Sequence, residues 1–147
     1  MAEVVLRDQL GKAGLAGAVL VDSAGTGDWH LGARMHPGSR RQLARNGYHG
    51  ESHRARQFVP SWLQERDLVL AMDAANLRDL RAMAAQQDQG RIRLFGEIGG
   101  LGGQDVPDPY FGSDADFARV LALLETGMSR LAVKLRAMVS GEQIQDR

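Results

Sequence analysis

The chain has 147 residues, no cysteine, 44% hydrophobic residues and 18 acidic against 18 basic side chains. One domain with one core follows from that length and composition, while disulfides, thiolate metal sites and cysteine chemistry are excluded for the chain as written. Zero net charge argues against bulk electrostatic capture of nucleic acid or an anionic membrane, and with no membrane-length apolar run and no visible secretory leader a cytoplasmic protein of bacterial type is the expectation.

The pattern predicts a helix over residues 2–13, with Val5, Leu6 and Leu10 on one face and Gly14 as its stop. "AVLVDSAG", Ala18–Gly25, reads as a buried strand ending in turn residues. After a long loop, Pro37 opens a helix through about Asn46 that ends on Gly47. Leu68–Met72 reads as a second strand, and Asp73 caps a helix with Leu77, Leu80 and Met83 as its inner stripe. Ile92–Phe95 reads as a third strand, followed by a glycine-rich loop. Ser113 then caps a long helix, with Asp116 in its first turn and an apolar stripe from Phe117 to Leu135. The expected domain covers residues 1–138, and 139–147 reads as a frayed tail.

Continuous apolar strands alternating with helices predict an α/β fold, a parallel sheet covered on both faces. Sites in such sheets lie beyond the carboxyl ends of the strands, where the loops at Asp22–Ser23, at Asp73 and after Phe95 emerge. The alternation starts on a helix, although folds of this kind ordinarily start on a strand whose first turn often binds an anion.

Several residues invite a functional reading beside a plainer one. In "DVPDPYFGSDADF" Asp108 stands between two prolines, a common turn arrangement. Alternatively it is a carboxylic acid beside Tyr110 and Phe111, where apolar neighbours favour the protonated form and suit a proton donor. Trp29, next to His30, either walls a pocket or covers the edge of the core. His49 and His53 are four apart, but Gly50 breaks the helix that a metal pair would need, and no metal is expected. His53 reads better as a hydrogen-bonding brace for a loop. "AGTGDWH" has His30 where a dinucleotide fingerprint needs its third glycine, and "GGLGG" reads as a flexible loop. Arg40, Arg41, Arg54 and Arg56 read mostly as solvated surface charge, with phosphate contact as the other possibility.

Five stretches in order, "MAEVVLR", "VDSAGTGDWHLG", "HRARQF", "LVLAMDAANLRDL" and "DVPDPYFGSDADF", resemble the low-molecular-weight protein-tyrosine phosphatases from Met1 to about Met138. The resemblance implies a four-stranded parallel sheet in a three-layer sandwich. It implies hydrolysis of phosphotyrosine on a protein substrate through a cysteinyl-phosphate, without metal or cofactor. Asp108 then matches the general acid, Tyr110 and Phe111 the aromatic pair beside the substrate ring, and Trp29 the opposite wall. Ser23 and His53 match residues that support the phosphate loop.

The family's nucleophile is the cysteine of a Cys-x5-Arg-Ser loop lying between its first, central strand and the helix that "MAE" resembles. Neither that strand nor that loop is present in this chain. The first expectation is therefore a shortened record, with Met1 an internal methionine of the family. The alternative is a pseudophosphatase that binds phosphotyrosine or a partner without turnover. A related arsenate reductase also needs cysteine, and "DPYF" fits it less well. The physiological substrate and the oligomeric state are not legible.

Overall fold

A computed structural model describes residues 1–141. Helix α1 (Ala2–Lys12) buries Val5, Leu6 and Leu10 as expected, and Gly14 follows it at φ +73°. Helix α2 (Pro37–Arg45) begins on its proline, which supplies a preset φ at a position needing no N–H donor. A short α3 (Trp62–Glu65) precedes strand β1 (Val69–Ala71). Asp73 caps α4 (Ala74–Met83) by accepting from the Asn76 N–H at 2.7 Å. A 3-10 turn (Gln86–Arg91) leads to β2 (Ile92–Leu94), then to short α5 (Phe95–Ile98) and long α6 (Asp114–Ser140).

β1 and β2 are parallel, pairing Val69 with Ile92, Leu70 with Arg93 and Ala71 with Leu94. The main core packs α1 against α6, joining Val5 and Leu10 to Phe95, Val120, Leu124, Met128 and Leu131. A smaller cluster of Leu63, Ala71, Leu80 and Ile92 fills the other face of the strands. Helices therefore cover both faces of a parallel sheet.

Several expectations are corrected. The ladder among the described residues has two strands, not the three that the apolar runs predict. The stretch Ala18–Gly25 forms no strand, and Leu20 is 98% exposed. A strand needs a ladder partner, and here turn bonds and side chains serve the main chain instead. The Ala18 and Val19 N–H groups donate back to the Leu15 carbonyl, and Arg7 and Arg56 donate to the carbonyls of Val21 and Ser23. Val19 and Val21 still pack on the core, while Gly25 keeps only an isolated parallel bridge to Gln57. The strand expected to reach Phe95 stops at Leu94, because Phe95 opens α5. Met83 lies outward at 39% exposure, leaving Leu80 as the buried residue of α4. Of the tail expected over 139–147, Val139 and Ser140 complete α6 and Gly141 caps it at φ +71°; residues 142–147 lie outside the described residues.

The glycine-rich loop is tightly folded, not loose. A Cβ on Gly96 would lie 1.9 Å from the Gln104 carbonyl oxygen, so glycine alone allows the loop to cross there. The Gly96 carbonyl in turn accepts from the Leu101 and Gly103 N–H groups. The returning chain donates from the Val106 N–H to the Met72 carbonyl at 2.8 Å, and Asp105 accepts from the Ala74 N–H at 3.1 Å. These two bonds fasten the segment before Asp108 at the carboxyl end of β1 and the start of α4.

Candidate active site

Asp108 follows directly on that anchored segment. Its Oδ1 accepts from the Tyr110 N–H at 3.0 Å, which closes an Asx-type turn between the two prolines. The residue is exposed. The chain leaves the turn by Ser113, whose N–H and hydroxyl donate to Asp116 Oδ2 at 2.7 and 2.9 Å. Those bonds and the Arg119 guanidinium hold Asp116 below the usual carboxylate range, which fixes the start of α6.

The rings beside Asp108 form a cluster. Tyr110 meets Phe111 edge-on at 4.9 Å and stacks on His30 at 5.3 Å. His36 meets Tyr110 edge-on at 4.8 Å and stacks on Phe117 at 4.9 Å. Phe117 is buried, whereas Phe111 is 98% exposed. Trp29 is 78% exposed, with its ring folded over Gly27, where a Cβ would come within 2.3 Å of it. Trp29 thus belongs to a surface loop that the neighbouring His30 ties to Tyr110, and it does not cover the core.

Ser23 and His53 meet as a second group, joined by a residue the sequence reading did not single out. The Ser23 hydroxyl donates to Glu3 Oε2 at 3.0 Å and lies 3.1 Å from His53 Nε2. His53 Nε2 is 3.2 Å from the same carboxylate oxygen, and Arg7 pairs with the other at 2.9 Å. This geometry assigns the proton to Nε2, leaving Nδ1 as an acceptor, and among the described residues Nδ1 is buried without a partner. Burial holds the His53 ring below the ordinary imidazole value; the Glu3 carboxylate opposes this, and the Met1 ammonium, Arg56 and Arg7 reinforce it. Burial likewise depresses the Met1 ammonium, with Glu3 opposing.

A cavity of about 540 Å3 adjoins this trio, lined in part by Glu3, Arg7, Asp22, His53, Arg54 and Arg56. Most of its charge is internally paired. Arg66 and then Arg56 hold Asp22 below the usual carboxylate range, Arg56 at 3.0 Å. Both guanidinium groups stack on Trp62, at 5.0 Å for Arg56 and 4.5 Å for Arg66. Among the described residues, no hydrogen bond joins this region to the Asp108 turn.

Glu3 carried a weak signal, an acidic residue in the first turn of a helix. His36 carried none, since histidine is not among the usual capping residues.

Fold and site together define an α/β protein with a parallel sheet, with Asp108 on the segment fastened at the carboxyl end of β1 and Ser23 on a loop tied to α1 and His53. A sequence profile of the family described as "Low molecular weight phosphotyrosine protein phosphatase" matches residues 1–141. A low molecular weight protein-tyrosine-phosphatase of Streptomyces coelicolor is 42% identical over 146 residues, covering 96% of this chain and 88% of that protein. YfkJ of Bacillus subtilis, of the same description, is 37% identical and covers 92% of this chain and 86% of that protein. The crystal structure of YfkJ superposes with a TM-score of 0.82 at 33% identity, over 93% of this chain and 86% of that one. A protein tyrosine phosphatase of Entamoeba histolytica, with Hepes in its active site, gives a TM-score of 0.87 at 29% identity, over 93% and 88%. The chain belongs to the low molecular weight phosphotyrosine protein phosphatases, a family of phosphoric monoester hydrolases. It contains no cysteine.

Proposed function

We propose that these residues form the leaving-group side of a site for phosphotyrosine hydrolysis on protein substrates. Asp108 is the general acid, Trp29, Tyr110 and Phe111 flank the substrate ring, and Ser23 and His53 brace a phosphate-binding loop. The observation that carries this reading is the Asp108–Tyr110 turn, which fixes a carboxyl group beside exposed aromatic rings. In the reaction a thiolate attacks phosphorus, the P–O bond to the tyrosine breaks, and Asp108 gives its proton to the departing phenolate oxygen. Asp108 then takes a proton from a water that attacks phosphorus, the P–S bond breaks, and phosphate leaves. The buried Nδ1 of His53 supports the bracing role, because it is an acceptor that meets no donor among the described residues.

The 147-residue chain has no side chain that supplies the thiolate. Ser23 is committed to Glu3 and His53 and lacks the arrangement of an activated nucleophile. We therefore assign this chain no turnover of its own. The missing thiol also favours a second reading, a phosphotyrosine- or partner-binding protein without catalysis; the proton donor that binding does not need weighs against it.

One experiment separates the readings. A strand followed by Cys-x5-Arg-Ser-Pro is joined ahead of Met1, and p-nitrophenyl phosphate and phosphotyrosine peptide are assayed. The extended chain should turn over both, and the 147-residue chain neither. Asp108→Asn in the extended chain should lower peptide turnover by about 10² to 10⁴, with a smaller loss on the better leaving group. A folded extended chain without activity, or an Asp108→Asn variant as fast as its parent on peptide, overturns the assignment.

A further inference from the structure

The ring cluster beside Asp108 contains one contact that the phosphatase reading does not use. His36 occupies the N-cap of α2, and its Nδ1 accepts from the Gly38 N–H at 3.0 Å. The same ring is sandwiched between two others, edge-on to Tyr110 and stacked on Phe117. Phe117 is anchored in the core by α6, and a Cβ on Gly38 would come within 2.5 Å of its ring. One imidazole thus joins the start of α2, the start of α6 and the turn whose Tyr110 N–H holds Asp108.

We infer that His36 is a positioning residue for the Asp108–Tyr110 turn, and that it holds the turn only while its ring is unprotonated. The reason is donor chemistry. A neutral imidazole offers a lone pair at Nδ1, whereas the imidazolium carries N–H groups at both nitrogens. Protonation therefore sets an N–H against the Gly38 N–H and a positive charge at the positive end of the α2 dipole. The ring must swing away to relieve both, and Tyr110 then loses one of its two imidazole neighbours.

Of the carboxylates on the elements packed against the ring, Asp108 alone has no ion pair among the described residues, and its Oδ1 accepts from the Tyr110 N–H. On the elements packed against it stand Tyr110, His30 and Asp108, and Asp114 and Asp116 at the start of α6. Its own helix carries Arg40 and Arg41. Asp114 is already paired with Arg41 and Arg45, and Asp116 with Ser113 and Arg119. Arg40 is paired with Glu51. His30 stacks on the far face of Tyr110 and takes no part in the cap. The bearing on catalysis rests on the proposed role of Asp108, but the positioning itself does not.

The test is NMR on the full 147-residue chain, which reads geometry and not turnover, so its failure is separate from any failure of the phosphatase reading. Hydrogen exchange of the Gly38 and Tyr110 amides is compared at two pH values, one on each side of the His36 Cε1–H titration that the same spectra record. After correction for intrinsic exchange, both amides should open roughly five- to tenfold more readily at the lower pH, the loss a missing N-cap typically brings. Tyr110–His36 cross-peaks should weaken in step with the His36 Cε1–H titration. His36→Asn keeps a capping acceptor without a ring, so Gly38 should stay protected at both pH values and Tyr110 at neither. His36→Phe keeps the ring without the acceptor and should show the reverse. Tyr110 protection that ignores the His36 titration, follows His30 instead, or keeps its pH dependence in His36→Asn overturns the inference.

Discussion

Glu3→Ala tests whether the buried polar trio is a fixed part of the scaffold. The Glu3 side chain is only 10% exposed, and one of its oxygens serves both Ser23 and His53. Removing it deprives the Ser23 hydroxyl of its acceptor and leaves the His53 N–H with the hydroxyl alone. A hydrogen bond to a charged group contributes about 1.5 to 3 kcal/mol. The Arg7 pair adds little, because the Arg7 side chain is 59% exposed and solvent screens it. Relief from desolvating the carboxylate offsets part of the loss. The net expectation is a destabilisation of about 2 to 3 kcal/mol, a large share of the 5 to 15 kcal/mol typical of a domain. Glu3→Gln keeps an acceptor for Ser23 and should lose about half as much. Urea unfolding at pH 7.5 reads both, with midpoints moving at unchanged slope. A second signature is specific to the geometry: without the carboxylate that opposes burial, the His53 titration should move still lower, read from its Cε1–H resonance. A Glu3→Ala midpoint within about 0.5 kcal/mol of the parent, the range of an ordinary surface change, refutes the reasoning.

How much of this was legible in the sequence depended on the range of the interaction. Helix starts are set by neighbours in the chain, so Pro37, Asp73 and Ser113 marked the beginnings of α2, α4 and α6 correctly. The α6 stripe from Phe117 to Leu131 follows from 3.6-residue periodicity alone. The apolar run Ala18–Gly25 looked as strand-like as Leu68–Met72, but a strand is a property of two segments. Leu68–Met72 has Ile92–Leu94 beside it, whereas in Ala18–Gly25 the carbonyls of Val21 and Ser23 accept from arginine side chains. The short α3 and α5 were missed because four-residue helices carry no periodicity to detect. At the site, Asp108, Tyr110 and Phe111 were legible as neighbours in sequence. The meetings of Glu3, Ser23 and His53, and of His30, His36, Tyr110 and Phe117, span long loops and are fixed only by packing.

Three further outcomes test other parts of the structure. Gly127→Ala places a Cβ 2.4 Å from the buried Phe95 ring, and overpacking of that kind costs about 1 to 3 kcal/mol, measurable as a lowered urea midpoint. Burial, and then the bond to Glu125, pushes the Tyr48 hydroxyl up to about 12 from 10.0. Between those values the unfolded chain releases the proton first, so stability should fall as pH rises, and Tyr48→Phe should flatten that alkaline limb. The last outcome concerns His53, whose folded-state pKa is depressed chiefly by burial. Below about pH 6.5 the unfolded chain takes up a proton that the folded ring refuses, so the unfolded state binds more protons and stability falls with falling pH. The fall continues until the pH passes the folded value and then levels off. His53→Gln removes this component, so its unfolding midpoint should vary less between pH 7.5 and about 5 than the parent's. Both chains carry His36→Asn, so that His36 does not enter the comparison. Equal acid slopes with and without His53 there would show that the ring takes up its proton as readily folded as unfolded, contrary to its burial beside Ser23 and Glu3.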